Sequence, residues 1–316
     1  MSLKNRKVLI TGATGFVGAN LLRYCLNLGA KAYIFTRKSS DNWRIADIMG
    51  DVRQYRLDLT DDVKLKAAIR RIKPEFILHS AAYGGHPYQT ESDKIFAANL
   101  TGTMNLVSAC ARTGFRLFIN TGSSSEYGLK NKPMREDQSL EPVTDYGAAK
   151  AAATLFCIAL AKKEKLPIVT LRLFSPYGYY EDGRRLMPHI IISSLRKKRP
   201  ALSSPRNVRD FVFIEDVLDA FLKAMLRPAG LEFGQIINIG SGRQKSISDV
   251  LGVVARSCGY KLKPKWGALN TRPEPAFWQA DISQAKDVLK WQPRHDLKQG
   301  IDKMLRWFSN NIRLYS

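Results

Sequence analysis

Thr11-Gly12-Ala13-Thr14-Gly15-Phe16-Val17-Gly18 follows a short apolar run at 8–10 and precedes Val17, Leu21, Leu22, Cys25 and Leu26, which recur at helical spacing. A G-x-x-G-x-x-G turn between a strand and a helix is a demanding piece of backbone. Its glycines permit a tight turn, close approach of main chain to a pyrophosphate, and close packing of helix on strand. The helix N-terminus adds unpaired N–H groups and the positive end of a dipole. A glycine turn without a ligand is the plain alternative for an isolated motif, but the strand before and the amphipathic helix after it are the context a dinucleotide site needs. Leu28-Gly29 ends that helix with a residue suited to a left-handed cap.

Further apolar runs at 32–35, 55–57, 76–78, 117–119 and 168–171 alternate with helical patterns, so the fold class expected is α/β, a doubly wound parallel sheet of the Rossmann kind. After Arg172 the pattern loosens at Pro176, Pro188, Pro200 and Pro205, and an apolar strand returns at 235–239. A loop bounded by Pro264, Pro273 and Pro275 and a last helix over 297–308 complete a smaller C-terminal lobe. The expected division is 1–175 plus about 210–245 for the dinucleotide and about 176–209 plus 246–316 for a substrate.

A chain of 316 residues, 45% of them apolar, folds without disulfides or a structural metal. The longest apolar run, 151–161, is too short to span a membrane, and residues 1–7 lead into a strand with no signal-peptide core, so a cytoplasmic protein with no membrane partner is expected. Cys25, Cys110, Cys157 and Cys258 lie far apart among helical positions and read as small reduced core residues, with no metal site. Fifty Lys and Arg against 28 Asp and Glu give a net charge of +22. Arg196, Lys197, Lys198, Arg199 and Arg206 cluster between Arg184 and Arg209, but few aromatic residues are interleaved, so nucleic acid is not the expected partner. A solvated basic face that steers a small anionic substrate fits better.

The second strand runs into Phe35-Thr36-Arg37-Lys38-Ser39-Ser40, where NAD enzymes place a carboxylate on the adenosine ribose. Arg37, Lys38 and Ser39 instead offer donors to a 2′-phosphate, so NADP(H) is favoured over NAD(H). Asp58, in Leu57-Asp58-Leu59, is placed to accept from the adenine amino group, an exposed aspartate being the alternative.

Tyr146-Gly147-Ala148-Ala149-Lys150 puts a phenol and an ammonium four residues apart on one helical face. A phenol titrates near pH 10, and each unit toward neutrality takes about 1.4 kcal/mol, which a neighbouring ammonium and a cationic nicotinamide can supply. Tyr146 is therefore a candidate general acid or base. Asn120-Thr121-Gly122-Ser123-Ser124-Ser125-Glu126-Tyr127-Gly128 brings hydroxyls to the carboxyl edge of the sheet, where open α/β folds bind ligands.

Taken with His79-Ser80-Ala81-Ala82, Asn99-Leu100-Thr101-Gly102-Thr103, Leu171-Arg172-Leu173-Phe174-Ser175-Pro176-Tyr177-Gly178 and Arg209-Asp210-Phe211-Val212, these features resemble the extended short-chain dehydrogenase/reductase family over nearly the whole chain. That family holds the nucleotide-sugar epimerases, dehydratases and reductases. The resemblance implies that Ser123, four residues before Tyr127, bonds the substrate oxygen, that Tyr146 exchanges its proton, and that Lys150 holds the nicotinamide ribose. It implies cofactor contacts from Gly12, Thr14, Gly15, Phe16, Val17, Gly18, Leu59, Ala81, Ala82, Thr121 and Phe174, with Asn99 as a structural or proton-relay residue. Ser124, Ser175, Arg209 and Arg272 are implied on the substrate side, the two arginines clamping a nucleotide diphosphate. Homodimeric assembly is expected.

Two positions depart from the family pattern. Its dehydratases carry an acid, usually Glu, two residues beyond the reacting hydroxyl, where this chain has Ser125 and places Glu126 one further on. Many of its epimerases carry asparagine where this chain has Ser175. The reading that follows is an NADP(H)-dependent oxidoreductase, a 4-ketoreductase of a nucleotide-4-keto-6-deoxyhexose. The alternatives are a nucleotide-sugar 4-epimerase or 4,6-dehydratase and, from another class, a catalytically silent dinucleotide-sensing or RNA-binding module.

Overall fold

The computed structural model describes residues 3–260, 262–268 and 276–315. The first half alternates strands and helices: β1 (Lys7–Thr11), α1 (Phe16–Asn27), β2 (Lys31–Thr36), β3 (Arg53–Arg56), α2 (Asp62–Ile72), β4 (Phe76–His79), α3 (Ser92–Phe96), α4 (Gly102–Ala111), β5 (Leu117–Ser123), α5 (Asp145–Glu164) and β6 (Ile168–Leu173). Then come β7 (Pro176–Tyr177), α6 (Leu186–Leu195), β8 (Val208–Asp210), β9 (Val212–Phe213), α7 (Ile214–Leu226), β10 (Ile236–Ile239), β11 (Gln244–Ser246), α8 (Ile247–Cys258), α9 (Ser283–Leu289) and α10 (Leu297–Asn311).

Seven strands form one parallel sheet in the order β3-β2-β1-β4-β5-β6-β10. The chain winds outward from β1 to β3, then returns to β4 on the other side of β1. That reversal opens a crevice beyond the carboxyl ends of β1 and β4, the place where doubly wound sheets bind ligands. Alternate strand residues face opposite layers, Val8 and Ile10 packing into one core and Leu9 into the other. Because both faces are covered, these strands read as continuous apolar runs, the signal the sequence carries.

α1 buries Leu21, Leu22 and Cys25 and is followed by Gly29 at φ +81°. α5 starts at Thr144, whose hydroxyl accepts the Gly147 N–H at 3.1 Å, and therefore begins with Asp145 and Tyr146. Outside the main sheet, β8 pairs antiparallel with β11 and β7 parallel with β9, while α6, α8 and α10 pack on one another. All four cysteines are free thiols, and Cys25, Cys110 and Cys157 are buried. Among the described residues, no helix is long and apolar enough to cross a membrane.

Candidate active site

A cleft of about 1590 Å3 runs along the carboxyl ends of the strands and continues between them and the 176–209 segment. The glycine turn forms its floor. Gly12 has φ +68°, and a Cβ there would lie 2.5 Å from the Ala81 nitrogen, while a Cβ on Gly18 would lie 2.1 Å from the Gly12 oxygen. α1 begins at Gly15 with no side-chain cap and no acidic residue in its first turn, so its leading N–H groups are left for an anion. These residues fit a dinucleotide diphosphate. Arg44, which no sequence pattern marks, reaches this turn: Nη1 donates to the Thr14 carbonyl at 3.2 Å and Nε to the Tyr180 carbonyl at 2.7 Å. Burial holds its pKa below the usual guanidinium value.

Thr14, Phe16, Val17, Leu59, Ala81, Ala82 and Thr121 all line the cleft. At the ribose end, the Arg37 amide donates to Ser40 Oγ at 2.9 Å and its side chain is exposed beside Ser39. Lys38 faces an adjoining depression with Arg56 and Asp58 and does not line the main cleft. One Asp58 oxygen accepts both the N–H and the hydroxyl of Thr60, at 2.9 and 2.7 Å.

The reacting groups meet at the middle of the cleft. Ser123 ends β5 and caps the short 3-10 turn Ser124–Glu126, its hydroxyl accepting the Ser125 N–H at 3.2 Å. Tyr146 is half-buried in the first turn of α5, and Lys150, one turn on, is almost wholly buried. The sequence predicts that an ammonium together with a cationic nicotinamide pulls the phenol down; among the protein's own groups, burial is the largest influence. Burial pushes the Tyr146 phenol up, against a hydrogen bond from Ser123 and the charge of Arg185, which favour its ionised form. Burial also pulls Lys150 down, opposed by the carboxylate of Glu126.

Two expected contacts, Asn99 and Phe174, do not line the cleft. Asn99 is fully buried in a π-helical turn, Ala97–Thr101, where its amide donates to the carbonyls of Tyr83 and Ile95 at 2.6 and 2.8 Å. Its oxygen accepts the Tyr83 N–H at 3.3 Å, so the residue ties down the loop after β4 and does not open into the cleft. Phe174 is buried against Tyr127, with ring centroids 6.2 Å apart. Arg272 lies outside the described residues. Glu126, one position past the dehydratase slot, is fully buried in an ion pair with Arg172 at 2.8 Å. A shift of the loop by one residue therefore does not put its carboxylate in the cleft.

The far half joins the expected Ser124, Ser175 and Arg209 to Trp278, Arg185 and Tyr88, which sequence reasoning passed over. Trp278 donates from Nε1 to Ser124 Oγ at 3.1 Å, and the Arg209 guanidinium lies 5.2 Å from the Trp278 ring centroid. Ser175 lines the wall with φ +22°. Arg185 crosses to the Gly85 carbonyl at 2.5 Å, and Arg184 donates to the Tyr88 hydroxyl at 2.6 Å while pairing with Asp182. Of the basic cluster, Arg184, Arg185 and Arg209 line the cleft, whereas Arg196, Lys197, Lys198 and Arg199 are exposed outside its walls. Among the described residues, no group of His, Cys, Asp and Glu is disposed to hold a metal ion.

Residues 8–240 match the family model described as NAD dependent epimerase/dehydratase family. A UDP-glucuronate 4-epimerase of Thermodesulfobacterium geofontis is 28% identical over 97% of this chain and 97% of its own. The structure of a UDP-glucuronic acid 4-epimerase from Bacillus cereus, in complex with UDP-glucuronic acid and NAD, superposes with TM-score 0.86 at 25% identity, covering 96% of this chain and 99% of that one. A UDP-glucose 4-epimerase from Thermotoga maritima shares the fold with TM-score 0.89 at 22% identity, covering 96% and 99%.

Proposed function

The chain belongs to the NAD dependent epimerase/dehydratase family, and from that membership we propose that it inverts C4 of a UDP-linked hexose or hexuronate. It is an enzyme of the extended short-chain dehydrogenase type. The observation that carries the finer reading is the convergence of Ser123, Tyr146 and Lys150 at the middle of one cleft, with the acid used for dehydration absent. Ser125 occupies that acid's position, and Glu126 is committed to Arg172. Relatives named as 4-epimerases support this alternative over the 4-ketoreductase reading.

A bound nicotinamide dinucleotide supplies hydride acceptance and return. The protein's own share is proton movement and placement. Tyr146 takes the proton of the sugar hydroxyl and gives it back, Ser123 holds that oxygen, and Lys150 grips the nicotinamide ribose and stabilises the phenolate. The uncapped start of α1 receives the cofactor diphosphate, and Arg209 faces the nucleotide diphosphate. In this reading residues 1–175 with about 210–245 hold the dinucleotide and 176–209 with 246–316 the nucleotide sugar. A homodimer in the cytoplasm completes it.

A preference for NADP(H) is part of this proposal: Arg37 and Ser39 line the ribose end, and no carboxylate stands in the 35–40 turn, although Asp41 and Asp58 also line the cleft. That feature is also what favours the second reading, 4-ketoreduction with NADPH. Incubation of purified protein with UDP-glucose, UDP-galactose, UDP-glucuronate and UDP-galacturonate, followed by chromatography, tests the first reading. Interconversion within either pair supports it. Conversion only of a nucleotide-4-keto-6-deoxyhexose, with one NADPH consumed per sugar, replaces it with the second.

A further inference from the structure

Glu126 touches no reacting group in the chemistry proposed above beyond supporting the charge of Lys150, yet it is bonded to the residue that bears a reacting hydroxyl. One of its oxygens, Oε2, accepts from Arg172 Nε and Nη2 at 3.0 and 2.8 Å, and the other, Oε1, accepts the Ser123 N–H at 2.7 Å. Both side chains of the pair are fully buried, and neither lines the cleft. The guanidinium lies 4.3 Å from the centre of the Tyr127 ring, whose hydroxyl donates to Asn238 Oδ1 at 2.8 Å. Arg172 is thereby fixed on β6 directly opposite Gly122 of β5. The glycine leaves room for the carboxylate, since a Cβ there would stand 2.8 Å from Glu126 Oε1.

A charged pair with no solvent contact costs several kcal/mol per ion in desolvation and is weak evidence for stability by itself. Its geometry accounts for it otherwise. We propose that the buried Glu126–Arg172 pair is a positioning device that anchors the end of β5 through the Ser123 amide, so that the Ser123 hydroxyl is presented to Tyr146 and the substrate oxygen. Glu126 is thus a positioning residue acting through Ser123, and the acceptor oxygen, not an exchangeable proton, is what the site uses. The inference rests on the role given to Ser123 above.

The test separates acceptor from acid. In E126Q/R172M the amide oxygen still accepts the Ser123 N–H and no unpaired charge is left in the core, whereas E126A/R172M removes the acceptor. Two readouts are taken: residue-resolved hydrogen exchange at Ser123 on ligand-free protein, and kcat and KM on a UDP-sugar that the parent converts. We expect E126Q/R172M to protect the Ser123 amide as the parent does and to keep kcat within about tenfold. E126A/R172M loses that protection and about 100-fold in kcat, the scale of an ångström of misplacement, with KM unchanged. Adding Ser123→Ala to E126A/R172M should cost nothing more. The idea is overturned if E126Q/R172M is as slow as E126A/R172M, which would make the carboxylate itself necessary, or if E126A/R172M keeps both protection and rate. Should the parent convert no UDP-sugar, the functional reading fails while the exchange measurement still decides this one.

Discussion

Replacing Tyr146 by Phe isolates proton exchange from every other duty of the cleft. The ring stays in its half-buried place in the first turn of α5, and the change removes one hydroxyl, whose structural partner is Ser123. A neutral hydrogen bond contributes about 1 kcal/mol, so a chain of 316 residues should lose about 1–2 °C in Tm and keep its dinucleotide affinity. The barrier should rise far more, because positioned acid-base groups contribute about a hundredfold to ten-thousandfold in rate, or about 3 to 5.5 kcal/mol. Burial also holds the phenol above its ordinary pKa, so less of the proton-accepting form exists at low pH. The parent's turnover should therefore climb as pH rises through neutrality, and any residual rate of Tyr146→Phe should not follow that limb. The assay is turnover of a UDP-sugar against pH, with cofactor titration and thermal melting of both proteins. Near-native turnover in Tyr146→Phe, on a substrate the parent clearly converts, would refute the proton-exchange role.

Gly18→Ala should weaken dinucleotide binding by more than about tenfold and lower Tm, because its Cβ would lie 2.1 Å from the Gly12 oxygen and 2.6 Å from the Gly12 carbon; unchanged affinity by titration would contradict the close packing. Arg37→Ala should lose about tenfold or more in NADPH affinity while leaving NADH alone, and equal effects on the two would remove the basis for an NADP preference. Arg209→Ala should raise KM for the nucleotide sugar without changing cofactor affinity; the reverse pattern would place Arg209 on the wrong ligand. Glu181 is buried in the cleft wall, with its carboxyl pushed up to about 8 by desolvation. Because that is above its unfolded value, the stability it supports is present at low pH and is lost as pH rises from about 4.5 to about 8. Glu181→Gln should then gain Tm relative to the parent across that window, and a difference independent of pH would count against the burial argument.

Much of the fold was legible because strands covered on both faces leave apolar runs, and because the glycine turn announces the first βαβ unit. The strand bounds differ from the apolar runs: β3 starts two residues earlier and ends at Arg56, and β5 runs on to Ser123, where glycine and hydroxyl residues replace the apolar ones. Tyr146 and Lys150 were legible since their relation is local, one helical turn. What stayed hidden depends on distance in sequence. Arg44 approaches Thr14 from a turn 30 residues away, and Trp278 approaches Ser124 across 154 residues. Glu126 looked like a displaced acid until the β5–β6 register put Arg172 beside it. Asn99 and Phe174 belong to motifs whose residues need not all touch the ligand; one holds a loop and the other fills the core. Reduction and epimerisation at C4 use the same serine, tyrosine and lysine, so the basic turn at Arg37, the displaced acid at Glu126 and Ser175 in place of an asparagine together tipped the sequence reading toward a reductase.

The most direct test of C4 inversion follows the hydrogen on that carbon. UDP-glucose or UDP-glucuronate deuterated at C4 is incubated with the purified enzyme and the products are examined by NMR and mass spectrometry. Our account predicts the C4 epimer with deuterium retained at C4 and no net consumption of dinucleotide. Transfer of the label to free dinucleotide, its loss to water, or the absence of any C4 epimer from both substrates would contradict it.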